Sequence, residues 1–152
     1  VLRLRQAGRL FAMDNSFSAI PRLSEAVKKQ FTDGLLAGDI EGCRATTMSA
    51  LDLGADPWLI YQDLFRPALY RVGELWACNQ ISVASEHLAT AVVEQLMIDL
   101  YPRFAALAST QRKVVLATVE DELHRIGLRM TADVFDSHGW EPVIANTGSW
   151  SA

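Results

Sequence analysis

The 152 residues hold only two cysteines, three histidines and five prolines, and acidic side chains outnumber basic ones by 18 to 14. Each shortage excludes something. Cys43 and Cys78 supply neither a disulfide framework nor a paired metal-ligand spacing, so a reducing cytoplasm is the expected setting. A net charge of −4 argues against a nucleic-acid surface on these residues, because phosphate binding draws on clustered Lys and Arg. Any regulatory or DNA-binding partner domain is therefore expected outside this chain. The longest apolar stretch, residues 89–107, is broken by Glu94, Asp99 and Arg103 and falls short of a membrane helix, so no membrane partner is expected. The start carries no charged-apolar-small leader, and a chain opening on Val1 rather than Met reads as a fragment or a processed form.

Half of the residues are hydrophobic, enough for a packed core. Residues 1–20 mix Arg3, Arg5 and Arg9 with Leu and Phe and read as a linker or the tail of a preceding domain. From there to residue 104 the apolar spacing is helical. Pro21 suits a first helical position, with Leu23, Ala26, Val27, Phe31 and Leu35 following and Gly38 as the stop. Asp39 is a plausible cap for a second helix through Cys43, Thr47, Met48 and Leu51, closed by Gly54. Pro57 opens a third helix, in which Leu59, Ile60, Leu64, Ala68, Leu69, Val72 and Leu75 form a stripe. Pro67 should bend it near 63–67. Ser82 caps a fourth helix striped by Leu88, Val92, Leu96 and Leu100. Four helices joined by short loops predict an antiparallel four-helix bundle over residues 21–104.

Beyond Pro102 the pattern changes. Residues 105–112 read as a linker, and Lys113 to Val119 as a buried parallel strand, because the run is continuously apolar. Leu123 to Ser137 predicts an amphipathic helix, stopped by Gly139, and Trp140 to Ala145 a second strand. Residues 113–152 thus form one βαβ unit, the start of a Rossmann-like, flavodoxin-like α/β module. A unit this small has open strand edges, which invite pairing with another chain, so a homo-oligomer is among the expectations.

Two motifs carry chemistry. Trp76-Ala-Cys-Asn-Gln-Ile-Ser-Val-Ala-Ser-Glu86-His87 joins the third and fourth helices through the short Cys78-Asn79-Gln80 linker. A flat aromatic, a carboxylate and an imidazole thereby gather at the mouth of a helix hairpin. That is either a ligand cap or a filled bundle end, since Trp often fills core volume and His often satisfies a local hydrogen bond. The second motif, Glu122-Leu-His124-Arg-Ile-Gly127, follows the apolar run 114–117.

The Trp-x9-Glu-His spacing resembles the helical cap of adenosylcobalamin-binding photoreceptor regulators, and the stretch 67–76 resembles the cap shared by cobalamin methyltransferases and cobalamin sensors. The second motif resembles the Asp-x-His-x-x-Gly of the B12-binding fold, with Glu122 in the acidic place. The resemblance implies that His124 ligates cobalt from below and that Glu122 orients its imidazole through the other ring nitrogen. It also implies that Trp76, Glu86 and His87 line the upper face, where an adenosyl group would lie. Gly127 completes the lower motif. In photoreceptors of this type a His follows the cap Trp, whereas this chain has Ala77.

The resemblance covers the whole helical cap and only the opening of the Rossmann-like module. The further βα units that would hold the nucleotide tail are absent from the sequence, so the module is expected to be truncated. The function implied is an adenosylcobalamin-binding sensory module of a light- or cofactor-responsive transcriptional regulator, not an enzyme. Two alternatives stand beside it: a corrinoid methyl carrier resembling the cobalamin module of methionine synthase, and an interaction domain that has lost cobalamin.

Overall fold

Side-chain caps decide where the helices begin, because the first backbone N–H groups of a helix have no partner within it. The computed structural model describes residues 23–104, 108–118 and 125–145. Helix α1 (Glu25–Ala37) is capped by Ser24, whose Oγ accepts from the Val27 N–H at 3.3 Å. Pro21, expected to open this helix, lies outside the described residues. Gly38 ends α1 in the left-handed region at φ 70°. Asp39 then opens α2 (Ile40–Asp52), accepting from the Gly42 N–H at 2.9 Å. Asp56 opens α3 (Pro57–Leu59) by accepting from the Trp58 N–H at 2.7 Å. Ser82 opens α5 (Val83–Leu100), accepting from the Ser85 N–H at 3.1 Å, and a 3-10 turn, Tyr101–Arg103, follows it.

Between α3 and α4 (Arg66–Ala77) the chain stays helical through a π segment, Ile60–Phe65. Pro67 explains it. Having no N–H, Pro67 cannot bond the Asp63 carbonyl, and its ring crowds that carbonyl. The expected disturbance takes the form of a widened turn, in which the Arg66 N–H bonds the Tyr61 carbonyl. Helix α1 packs on α2, α4 and α5, and α5 also packs on α2 and α4. Their shared core includes Phe31, Leu35, Ile60, Phe65, Val93 and Leu96, with Phe31 stacked on Phe65 at 5.4 Å. Buried Thr46 and Thr47 donate to the Gly42 and Cys43 carbonyls at 2.8 and 2.9 Å, so no polar group is stranded there. Arg44 of α2 pairs with Asp99 of α5. Leu88, expected in the inward stripe of α5, is exposed and sits beside Gly38; Ala89, Val93 and Met97 are buried with Val92, Leu96 and Leu100 instead.

The remainder is a small parallel sheet with one helix, so the described chain is mainly helical. Strand β1 (Arg112–Ala117) pairs with β2 (Trp140–Ala145), in register from Arg112 opposite Trp140 to Ala117 opposite Ala145. Helix α6 (Ile126–Ser137) lies between them in sequence and packs on both. The expected outer limits, Val119 and Leu123, fall outside the described residues, and Arg112 belongs to the strand rather than to a linker. The expectation that β1 is buried on both faces is corrected: Val115 is 69% exposed, and Val143 and Ile144 are exposed on β2. Among the described residues α6 is the helix that covers this pair. One helix shields one face, so the run 114–117 alternates in burial although its sequence does not.

Helix α6 serves both parts of the fold. Ile126 and Met130 join the helical core, whereas Phe135 meets Trp140 of β2 edge-on at 5.8 Å. Gly139 follows the helix at φ 78°, and its carbonyl accepts from the Thr110 N–H at 2.8 Å and the Thr110 hydroxyl at 3.0 Å. A Cβ at residue 139 would stand 2.3 Å from the Ala108 carbonyl oxygen. Gly139→Ala is therefore expected to cost more than the roughly 1–2 kcal/mol of a left-handed side-chain residue alone. Urea unfolding monitored separately on the sheet and on α5 should show the loss in the sheet first.

Candidate functional site

The turn joining α4 to α5 is built by its own backbone. The Gln80 N–H bonds the Leu75 carbonyl at 2.8 Å and the Asn79 N–H bonds the Trp76 carbonyl at 2.9 Å, with Asn79 left-handed at φ 56°. This is the Schellman pattern that ends helices, with Asn in the place where glycine is commonest. It sets Trp76, in the last turn of α4, across a short loop from the start of α5, and the two helices pack together. Trp76 is 46% exposed, so close to half of its side chain faces solvent. Val83, in the first turn of α5, is also exposed.

Glu86 holds its neighbours. Its Oε1 accepts from the Thr90 hydroxyl at 3.1 Å, and its Oε2 lies 2.5 Å from His87 Nδ1. The Glu86 side chain is 16% exposed and that of His87 75%, so a nearly covered carboxylate anchors an imidazole that stands in solvent. With Nδ1 engaged, an outside ligand would meet the ring at Nε2. The structure thus brings Glu86 and His87 into direct contact and sets Trp76 on the adjoining helix end. Glu122 and His124 lie outside the described residues. Gly127, the second residue of α6, is exposed, with no atom within 4 Å of where a Cβ would stand. Thr90 escaped the sequence reading, although its place four residues after Glu86 puts the two on one helix face.

Other chemistry-bearing groups lie elsewhere. Cys43 is buried, and burial followed by the charge of Asp39 pushes its thiol up to about 11, so it is a neutral core residue. Among the described residues, no group of three or more His, Cys, Asp or Glu side chains is arranged to hold a metal ion. Clefts of about 420 and 580 Å3 lie between α1 and α2 and between α1 and α4, and neither is lined by Trp76, Glu86 or His87. Trp76, Val83 and His87 of the candidate site are exposed. At the opposite end of α5, the buried Tyr61 hydroxyl donates to Asp133 Oδ2 of α6 at 2.7 Å. Desolvation raises the Asp133 carboxyl above its usual 3.8, although the Tyr61 bond and Arg129 pull it the other way.

Comparison with known proteins places the helical part. Residues 27–100 match the B12 binding domain family. Over 72 residues the chain is 33% identical to the HTH-type transcriptional repressor CarH of Myxococcus xanthus, a match covering 47% of this chain and 23% of that protein. The chain therefore spans about a quarter of the length of that curated relative. In three dimensions it is similar to the monomethylamine corrinoid protein of Methanosarcina barkeri, with a TM-score of 0.70 at 15% identity, covering 82% of this chain and 58% of that one. At that identity the likeness is one of fold.

The raised Asp133 has a consequence for stability. Between the usual carboxylate value and the higher folded one, the folded chain keeps a proton that the unfolded chain has released. Stability from this group is therefore present at acid pH and is lost as pH rises through that window. Asp133→Asn, neutral at every pH, removes this loss. Melting temperatures of both proteins from acid to neutral pH should show the variant gaining on the wild type as pH rises; parallel curves would contradict the assignment.

Proposed function

We propose, because residues 27–100 match the B12 binding domain family, that this chain is the cobalamin-binding sensory module of a transcriptional regulator, with adenosylcobalamin as its ligand. The observation that carries the reading is the exposed Trp76 standing across one turn from the anchored Glu86–His87 pair. A largely apolar planar group needs a flat aromatic partner in solvent, and its polar substituents need fixed acceptors and donors. Trp76, Val83, Glu86 and His87 offer both, so the residues fit the group.

In this reading α1, α2, the helix from α3 through α4, and α5 form an antiparallel four-helix cap. Trp76 packs over the upper face of the corrin, and Glu86 and His87 line the same side, with Thr90 holding the carboxylate in place. His124 would hold the cobalt, Glu122 would orient its imidazole, and Gly127, bare of side chain, would allow close approach. When bound, adenosylcobalamin supplies a light-labile cobalt–carbon bond. The chain's part is to make the seating of the cap depend on an upper group in contact with Trp76, so that losing this contact biases a packed interface. Ala77, where photoreceptors of this type carry His, removes that imidazole as a ligand after illumination. A cytoplasmic setting, a homo-oligomer and a DNA-binding partner domain belong to the same reading, and the similarity to the CarH repressor supports the last of these.

A corrinoid methyl carrier is the second reading, supported by the fold shared with the monomethylamine corrinoid protein. The two part on the upper face, since a methyl group leaves little for Trp76 to stack on.

Titration with adenosyl-, methyl- and hydroxocobalamin, followed by absorption in the dark and after illumination, tests the proposal. Tight binding of the adenosyl form with a spectrum that changes in light is expected; binding of none of the three would sink it. Trp76→Ala should weaken adenosylcobalamin by about 1–3 kcal/mol, the scale of stacking on a partly buried aromatic, and leave methylcobalamin nearly untouched. Equal weakening would favour the carrier. His124→Ala should alter the cobalt absorption bands with the melting of the helical segment unchanged.

A further inference from the structure

Helix α6 is tied to the helical segment by two tyrosine–aspartate hydrogen bonds, one part-buried and one exposed. Tyr61, in the π segment and 1% exposed, donates to Asp133, and Tyr101, in the turn after α5, donates to Asp136. The two carboxylates are three residues apart on α6 and so share a face. Ile126 and Met130 of the same helix enter the helical core. Apolar contacts hold α6 close but leave it free to slide. A hydroxyl–carboxylate bond is directional, and separating Tyr61 from Asp133 leaves a buried hydroxyl without its partner, whereas the Tyr101 bond is exposed and adds direction alone. Tyr61 is further fixed by ring contacts with Phe65 at 5.9 Å and Phe104 at 5.3 Å. The π turn contributes as well: one residue more in a turn swings the upstream side chains by about 100° relative to α4. The side chains around Asp133 are Tyr61, Arg129 and Asp136, and the Asp136 bond pushes the Tyr101 hydroxyl up to about 12.

We propose that Tyr61 and Tyr101 are positioning residues: their bonds to Asp133 and Asp136 seat α6, and with it Gly127 in its first turn, against the helical cap. This rests on the cobalamin reading, in which Gly127 of α6 belongs to the lower motif while the cap carries Trp76.

The test uses the whole chain and the variants Tyr61→Phe, Tyr101→Phe and Asp133→Asn, the last of which keeps an acceptor oxygen for Tyr61. The first readout is amide hydrogen exchange without cofactor. Tyr61→Phe should speed exchange across residues 126–137 on the order of tenfold and leave residues 83–100 at the wild-type rate, with a smaller effect for Tyr101→Phe and for Asp133→Asn. Wild-type exchange in α6, or equal acceleration across 25–100, would overturn the proposal; the second result would make Tyr61 a general core residue. The other readout is the adenosylcobalamin spectrum and affinity, where Tyr61→Phe should bind several-fold more weakly with altered cobalt bands. A loosened α6 with wild-type affinity and spectrum would overturn the positioning role. Failure of the wild type to bind cobalamin would instead sink the proposed function, and the exchange data would still judge the two bonds.

Discussion

Helix α6 has to bury two faces at once, and the relation between the helical segment and the sheet follows from that demand. Its Ile126 and Met130 complete a core that begins with Phe31 and Phe65, while Phe135 closes over Trp140. A helix in that position cannot be displaced without exposing apolar surface on both sides, at roughly 25 cal/mol per Å2. The polar contacts add direction to this adhesion. Tyr61 reaches Asp133 from a turn that is π-helical because Pro67 follows it, so a single proline affects both the course of the third helical stretch and the contact that seats α6.

The proposed site lies at the other end of the same framework. The Schellman turn at Asn79 sets the Trp76 end of α4 beside the start of α5, and Ser82 begins α5 so that Glu86 and His87 fall at its N-terminal end, where a carboxylate is also favoured by the helix dipole. Thr90 and His87 engage both carboxylate oxygens, which limits the rotamers open to Glu86. The result is a partly apolar surface exposed at Trp76 and Val83. Such a surface suits a ligand that is itself large and flat and is closed over by a second element.

Much of this was legible in the sequence because it is written in local chemistry. Asp39, Pro57 and Ser82 start helices in the structure as their hydrogen-bonding chemistry predicts, and Gly38 and Gly139 sit where a left-handed residue is required. The spacing from Trp76 to His87 pointed to a cobalamin-binding family before any packing was known. What depended on distant partners was harder to read. The apolar run 114–117 looked like a strand buried on both faces, but the number of helices covering a sheet is a tertiary fact. Leu88 fitted the stripe of α5, yet Gly38 stands beside it. Tyr61 and Asp133 are 72 positions apart, and neither spacing nor composition links them.

In the proposed reading, His124 is the ligand that this chain supplies to cobalt. Electron paramagnetic resonance of bound cob(II)alamin tests it most directly, using protein grown with nitrogen-15 histidine. The account predicts that labelling changes the nitrogen hyperfine splitting on cobalt and that His124→Ala abolishes the change. A splitting that is the same with and without the label would show that no histidine of this chain binds the metal, and would contradict the account.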